Sequence, residues 1–270
     1  PTYATWHSDF TGEQSRSEVI SHRMVDPRMR IRPNPREVER AARLLVEAER
    51  PMLFVGDELY KGKVVDKAVR LAELLGMPVT QPRQVFANFP QPHPLWVGGS
   101  AMRTQKPDLV INVGNKLHHF GSAPMVPRDV KFIDLRNDSD SMGNVITTDV
   151  PLVADVGYGL DDLLAALGDL MTPAIRQQGQ ERAEQVRAYT DRARELWPVM
   201  TRNPDWDNSP MISDRVTYEI AQFADKDACF VDESSVGGKH FLDFNPLGGR
   251  EWFHRYAGHL GAATGKAAGV

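Results

Sequence analysis

The sequence predicts an α/β protein with a doubly wound parallel sheet, followed by the beginning of a second α/β domain. The first observation is Leu109–Val113, a short apolar run rich in β-branched residues that ends at Gly114. Such a run is typical of a strand that is buried on both faces. The second observation is the alternation of similar runs with helical patterns over residues 36–171. Both features indicate a parallel sheet whose strands are joined by crossover helices.

The first domain is expected over residues 36–172, where the elements follow one another in order. Pro33-Asn34-Pro35 indicates the start of the first helix, and Gly76 is a natural C-terminal cap for the second. No GxGxxG motif and no Walker loop is present, so the pattern predicts a Rossmann-like fold but no particular nucleotide. Apolar periodicity predicts helices over 36–49, 64–75 and 160–170, and strands over 52–55, 77–80, 109–113, 130–135 and around 144–148.

Three further segments flank this domain. Residues 1–35 are polar and are interpreted as the end of a preceding domain and a linker. Residues 173–210 are expected to form a charged, solvated connecting helix and a turn-rich linker. Residues 211–270 are expected to begin a second domain, with a helix over 212–224, a strand over 228–232 and a polar turn after it. Both chain ends look cut, so we expect a fragment.

Composition excludes several classes of partner and site. The net charge of −4 leaves no broad basic face, so neither nucleic acid nor an anionic membrane is an expected partner. The single cysteine, Cys229, excludes a disulfide framework and a cysteine zinc site. There is no apolar run long enough to span a membrane and no secretory leader. We therefore expect a cytoplasmic protein.

The turn Gly114–His119 is the first place to look for a ligand site. Ligands of open parallel sheets bind beyond the carboxyl ends of the strands, and this turn follows the central strand. The alternative interpretation is a purely structural connection between a strand and a helix. His118 and His119 are adjacent and therefore point in different directions, which makes them a poor metal pair. No metal site is predicted within the chain.

Two motifs carry a resemblance to a known family. They are Val231-Asp232-Glu233-Ser234-Ser235 and Ala257-Gly258-His259-Leu260-Gly261-Ala262-Ala263. Together with the order of strands in the first domain, they make the chain resemble thiamine-diphosphate-dependent enzymes of the acetolactate synthase and benzoylformate decarboxylase type. Residues 36–172 resemble the central domain of that family, and residues 211–270 the start of its diphosphate-binding domain.

The resemblance implies roles for both motifs. Leu260 would be the apolar wedge that bends the cofactor into a V shape, and the backbone of Gly258 and His259 would accept from its 4′-amino group. A turn at the end of a strand can hold a diphosphate through hydroxyl and backbone N–H groups. The residues expected there are Glu233, Ser234 and Ser235, of which Ser235 is the strongest candidate.

The resemblance also implies the chemistry. The cofactors would be thiamine diphosphate and magnesium, with the magnesium ligands after residue 270 and the activating glutamate before residue 1, so this segment alone should be inactive. FAD is not expected, because the turn after Gly114 departs from that of the flavin-binding members. His240 and His254 flank the expected cleft and are candidate acids or bases toward the substrate.

Two functions from different classes follow. The first is a decarboxylase, lyase or carboligase that acts on a small 2-oxo acid and assembles as a homodimer or homotetramer. The second is a non-catalytic Rossmann-like module for nucleotide binding or subunit assembly. A glutamate-bearing domain upstream and a Gly-Asp-Gly…Asn segment downstream would favour the first.

Overall fold

A five-stranded parallel sheet is the largest sheet of the described residues. The computed structural model describes residues 31–82, 86, 88–98, 101–117, 126–195, 202–223, 225, 230–232 and 252–254. Within them, the sheet has the order β2-β1-β3-β4-β5, and every neighbouring pair is parallel. This confirms the predicted fold class. The strands are β1 (Pro51–Val55), β2 (Val79–Thr80), β3 (Leu109–Val113), β4 (Lys131–Arg136) and β5 (Val150–Val153).

Helices connect and cover these strands. α1 begins where the sequence predicts, because Asn34 accepts a hydrogen bond from the Arg36 N–H (3.0 Å) and Pro35 occupies the first turn. Gly76 ends α3 in the left-handed conformation, with φ +64°. The helices of the described residues are α1 (Pro35–Glu47), α2 (Asp57–Lys61), α3 (Val65–Leu75), α4 (Ala101–Gln105), α5 (Val156–Leu170), α6 (Pro173–Glu195) and α7 (Ser213–Phe223).

The two middle strands, β1 and β3, are buried along their whole length. Their register pairs Pro51 with Leu109 and Val55 with Val113, so both strands end together. α5 packs on the sheet face that carries Leu135, because a Cβ added at Gly159 would overlap that side chain. α5 in turn contacts α1 and α3. Burial on both faces explains why these strands are continuous apolar runs.

One predicted strand lies elsewhere. The segment 144–148 forms no strand, and β5 occupies Val150–Val153 instead. Asp149 sets this register, because its N–H donates to the Phe132 carbonyl (2.9 Å) and its carboxylate accepts from the Phe132 N–H (2.8 Å). Val150 and Leu152 then point into the core. The sequence prediction for this strand is therefore wrong by about one strand length.

α6 forms where a helix is expected, but it is not a solvated connection. Val186 and Thr190 are buried, and a Cβ at Gly76 would overlap the backbone of Gly179. The Arg182 guanidinium donates to the carbonyls of Leu75 (2.9 Å) and Ala48 (3.1 Å), which lie at the ends of α3 and α1. The charged sequence of α6 does not predict this contact, because an arginine can bury its aliphatic chain while its guanidinium group remains hydrogen-bonded.

A second, smaller sheet lies beyond α7. It consists of β6 (Phe230–Asp232) and β7 (Trp252–His254), which pair in parallel. β6 confirms the strand predicted over 228–232, whereas β7 was not predicted. Among the described residues, there is no helix of the length and apolarity needed to cross a membrane. The assignment of residues 211–270 to a separate domain, and of 1–35 and 173–210 to linkers, stays a prediction.

Candidate functional site

The strand order of the main sheet reverses beside β1. The chain passes from β1 to β2 on one side, and then crosses to β3 on the other side. In open parallel sheets, ligands bind in the crevice at such a reversal, beyond the carboxyl ends of the strands. The segments at that crevice are Gly56–Lys61 after β1 and Gly114–Leu117 after β3. This places the predicted candidate turn at the correct edge of the sheet.

The chain itself fills the crevice between the ends of β1 and β3. Asn115 is buried, and its Nδ2 donates to the Val55 carbonyl (3.2 Å). A Cβ at Gly56 would overlap the backbone of Asn115. Glycine is needed there because the two segments approach backbone to backbone. Residues 114–117 of the predicted turn therefore form a structural connection. His118 and His119 lie outside the described residues.

Glu58 closes the crevice from the side of α2. Its backbone N–H donates to the Gly114 carbonyl (3.2 Å), and its carboxyl group accepts from the Asn137 N–H (3.1 Å). Gly114 has φ +69°, and a Cβ there would lie 2.7 Å from the Glu58 Cβ. Burial raises the pKa of Glu58 from its ordinary 4.5 to about 7, although the Asn137 N–H and Arg136 oppose the rise. Glu58 can therefore change protonation near neutral pH.

A buried polar network continues from this point across β3 and β4. Arg136 donates from Nε to Asp134 Oδ1 (2.9 Å) and from Nη2 to Oδ2 (2.7 Å), so the pair is bidentate. Asn112 Nδ2 donates to the same Asp134 Oδ1 (2.8 Å) and to the Asn115 carbonyl (2.8 Å). Burial raises the pKa of Asp134, while its contacts with Arg136 and Asn112 oppose the rise. The network ties the ends of three strands together.

Sequence reasoning missed Glu58, Asp134 and Arg136. One signal was available, since Asn112 and Asp134 interrupt otherwise apolar strands, and buried polar residues are normally paired with each other. The residues that pair with Asn112 and Asp134 could not be identified from the sequence alone. Among the described residues, no three His, Cys, Asp or Glu side chains come together in a way that could hold a metal ion.

Both strands of the smaller sheet end at the same edge. β6 and β7 are parallel, and Asp232 pairs with His254, so the chain leaves both strands on the same side. In the sequence, the first motif begins within β6 at Val231, and the second begins three residues after β7. His254 is the last residue of β7. The other predicted site residues lie outside the described residues, namely Glu233, Ser234, Ser235, His240, Gly258, His259 and Leu260.

Comparison with known proteins identifies the larger sheet. Residues 38–167 match the family model of the thiamine pyrophosphate enzyme central domain. The main sheet and its helices are therefore similar to the central domain of thiamine pyrophosphate enzymes. Thiamine pyrophosphate is another name for thiamine diphosphate, so the predicted family is confirmed.

Individual relatives extend the likeness beyond the central domain. An acetolactate synthase of Mycobacterium bovis is 28% identical over 210 residues, which cover 74% of this chain and 33% of that protein. A glyoxylate carboligase of Escherichia coli O157:H7 is 26% identical over 249 residues, which cover 87% of this chain and 40% of that protein. The chain therefore spans between a third and two fifths of the length of these relatives.

A solved structure supports the fold. The crystal structure of benzoylformate decarboxylase from Polynucleobacter necessarius aligns with a TM-score of 0.62 over 86% of this chain and 42% of that one. The sequences are 17% identical in this alignment. The aligned part covers more of this chain than residues 38–167, which match the central-domain model, do.

Proposed function

We propose that this chain is part of a thiamine-diphosphate- and magnesium-dependent enzyme that decarboxylates or ligates a 2-oxo acid. The observation that carries the proposal is the match of residues 38–167 to the central domain of thiamine pyrophosphate enzymes. Relatives that cover most of the chain include an acetolactate synthase and a glyoxylate carboligase. When bound, the cofactor supplies a carbanion nucleophile and an electron sink for the 2-oxo acid.

The proposed cofactor site lies at the carboxyl edge of β6 and β7. The parallel pairing of these strands supports it, since both strands end at this edge and each motif follows or overlaps one of them in the sequence. The turn at 233–235 would hold the diphosphate through its hydroxyl and N–H groups, with Ser235 as the main ligand. Gly258, His259 and Leu260 would orient the rings. We place the magnesium ligands outside this chain.

His240 and His254 are the proposed acid–base candidates toward the substrate. An imidazole titrates near neutral pH, which suits proton transfer to or from a substrate. His254 ends β7 at the proposed edge, which supports its inclusion. Replacing the true acid or base by glutamine should remove one limb of the pH profile of kcat. A profile unchanged in both H240Q and H254Q would contradict this assignment.

The test is release of carbon dioxide from pyruvate and from glyoxylate by the protein that contains this chain. We expect release only when thiamine diphosphate and magnesium are both present. Leu260→Ala should lower kcat at least about tenfold at saturating cofactor, and Ser235→Ala should weaken cofactor binding about tenfold. The control is Glu39→Gln on the exposed face of α1, which should change neither value.

The opposite result would favour a different class of protein. Suppose that the protein releases no carbon dioxide from any 2-oxo acid and shows no rise in unfolding temperature with thiamine diphosphate and magnesium. The non-catalytic module would then replace the enzyme as the proposed function. The filled crevice beside Asn115 argues against nucleotide binding by the central domain, FAD included. Denaturing the purified protein should therefore release no flavin.

The proposal includes the assembly and location of the intact protein. The active sites of the family it resembles form between subunits, so we propose a homodimer or homotetramer that takes a small-molecule substrate in the cytoplasm. Light scattering on the purified protein measures the subunit number. A monomer that still consumes 2-oxo acid would contradict the proposed assembly.

A further inference from the structure

Residues 31 and 32 lie against the start of α5. The Ile31 N–H donates to Asp155 Oδ2 (2.7 Å), and the Ile31 carbonyl accepts from the Asp155 N–H (3.0 Å). The Arg32 guanidinium forms an ion pair with Asp162 and lies over the Tyr158 ring, 4.7 Å from its centre. The three α5 partners share one face of the helix, since they are three and four residues apart. We name residues 31 and 32 the strap.

Asp155 occupies the N-cap position of α5 but does not cap this helix. A side chain at that position normally accepts from the N–H groups of the first turn, which have no partner within the helix. The Asp155 carboxylate makes no such bond and accepts from the Ile31 N–H instead. Its backbone is already non-helical (φ −58°, ψ 126°), as an N-cap requires. A rotation of the side chain alone would therefore direct the carboxylate to α5.

The strap can separate from α5 without opening the core. Ile31 is 40% exposed and the Arg32 side chain is 59% exposed, so neither is needed to cover the core. Exposed ion pairs contribute little to stability, because water and salt screen them. Pro33 is buried and Asn34 caps α1, so the chain is held firmly from residue 33 onward. Among the described residues, lifting the strap therefore moves only its own two residues.

We propose that the strap and Asp155 form a two-state switch. In the docked state, which is the state of this structure, the Asp155 carboxylate binds the Ile31 N–H. In the open state the carboxylate rotates and caps α5, which gains the cap that it lacks when the strap is docked. Because the carboxylate has a hydrogen-bond partner in both states, opening costs much less than unfolding the domain. Opening frees the Arg30–Ile31 peptide bond and the α5 face under the strap.

The Arg30–Ile31 bond reports the open state in a limited trypsin digestion of the protein that contains this chain. Trypsin cleaves after arginine but not before proline, so the bond between Arg32 and Pro33 is resistant and Arg32 can be replaced without removing a cleavage site. The rate of cleavage follows the population of the open form when opening and closing are fast. Mass spectrometry identifies the product that begins at Ile31.

Two variants release the strap from different partners. Serine at position 155 is one bond too short to reach Ile31, and alanine at position 32 removes the ion pair and the ring contact. We expect Asp155→Ser and Arg32→Ala each to speed cleavage of the reporter bond about tenfold, because each loses a hydrogen bond to a charged group. Arg43→Ala, which replaces an exposed arginine on α1, is the matched control and should leave the rate unchanged.

Thermal unfolding tests whether residue 155 caps α5 in the open state. Serine caps helices about as well as aspartate, whereas alanine does not. Asp155→Ser and Asp155→Ala should therefore show the same fast cleavage, but Asp155→Ala should unfold about 2–4 °C lower. Equal unfolding midpoints of the two variants would overturn the switch, because the open state would then lack the cap.

A cleavage rate that is unchanged in both Asp155→Ser and Arg32→Ala would also overturn the proposal, because the contacts with α5 would then not hold the strap. Hydrogen exchange of the unchanged protein remains informative if a variant does not fold. The Ile31 and Asp155 amides should exchange together, and faster than the amides of β3, because they open locally. Exchange as slow as that of β3 would mean that the strap opens only when the whole domain unfolds, which would contradict the switch.

Discussion

At the scale of single residues, the carboxyl edge of the main sheet is built from polar side chains that bind the chain itself. Asn115 bonds to the end of β1, and Glu58 bonds to the residue that follows β4. Glu58 faces Asn137, Arg136, Asp134 and Asp138, and one arginine shared by several carboxylates cannot stabilise all their charges. The burial of Glu58 therefore makes this edge sensitive to pH.

The prediction at this scale concerns the pH dependence of stability. Because the folded state holds the Glu58 proton more tightly than the unfolded chain, ionisation of Glu58 lowers stability as pH rises from 4.5 to about 7. The loss above pH 7 is at most about 3 kcal/mol. Glu58→Gln removes this loss, so the variant should be more stable than the unchanged chain at pH 8 and similar to it at pH 5.

The measurement is thermal unfolding across that pH range. Glu39→Gln serves as a control, because Glu39 is exposed on α1 and should follow the unchanged chain throughout. Parallel curves for Glu58→Gln and the unchanged chain would show that Glu58 ionises normally in the folded protein.

At the scale of elements, α6 is fixed to the ends of two other helices. A helix ends with carbonyl groups that have no partner within the helix and carry partial negative charge. Arg182 supplies donors to such carbonyls in α1 and α3. Asp108 stabilises the neighbouring turn, since its carboxylate accepts from the N–H groups of Glu49 and Arg50 (both 2.9 Å). One side chain therefore holds three helices together.

The prediction at this scale is a loss of stability in Arg182→Ala. Removing the guanidinium leaves the carbonyls of Leu75 and Ala48 without their donors, which should lower the free energy of unfolding by about 3 kcal/mol. Lysine should recover less than half of this, because an ammonium group lacks the planar fork that reaches both carbonyls. Urea denaturation measures the difference.

Arg192→Ala is the matched control, since Arg192 is exposed on the same helix. It should change the free energy of unfolding by less than about 0.5 kcal/mol. Equal effects of the Arg182 and Arg192 variants would mean that α6 is held by general charge rather than by the two hydrogen bonds.

At the scale of the whole molecule, the core of the central domain includes α6. Val186 of α6 belongs to the same buried cluster as the strands of the main sheet. Thr190 Oγ1 donates to the Pro94 carbonyl (2.9 Å), in the connection after β2. The Ile31 carbonyl accepts from the Asp155 N–H (3.0 Å), and the Ile31 N–H donates to the Asp155 carboxylate (2.7 Å), so residue 31 also belongs to this body. We therefore expect the domain to extend on both sides of the predicted range 36–172.

The prediction at this scale compares two fragments of the chain. Residues 31–195 should fold alone and unfold in one cooperative transition. Residues 31–172 lack α6 and the donors of Arg182, so their unfolding midpoint should be lower by at least about 5 °C. Circular dichroism during heating measures both. Equal unfolding midpoints of the two fragments would support the predicted domain boundary at residue 172.

The sequence by itself determined most of the main helices and strands of the central sheet and their order. β1, β3 and β4, the helices α1, α3 and α5, and the cap at Gly76 were all predicted, because each depends on a local pattern. The resemblance of two short motifs also indicated the family, which the match over residues 38–167 confirms. The roles of the motif residues themselves stay predictions.

Only the tertiary structure decided which residues meet. Glu58 contacts Asn137 across 79 positions of sequence, and Arg182 contacts Leu75 across 107. No periodicity encodes such pairs, because strand order and register depend on how the whole core packs. The same reason explains the error at residues 144–148, where the bonds between Asp149 and Phe132 placed β5 further along the chain. Local sequence patterns determine where helices and strands form, and the packing of the core determines which of them contact each other.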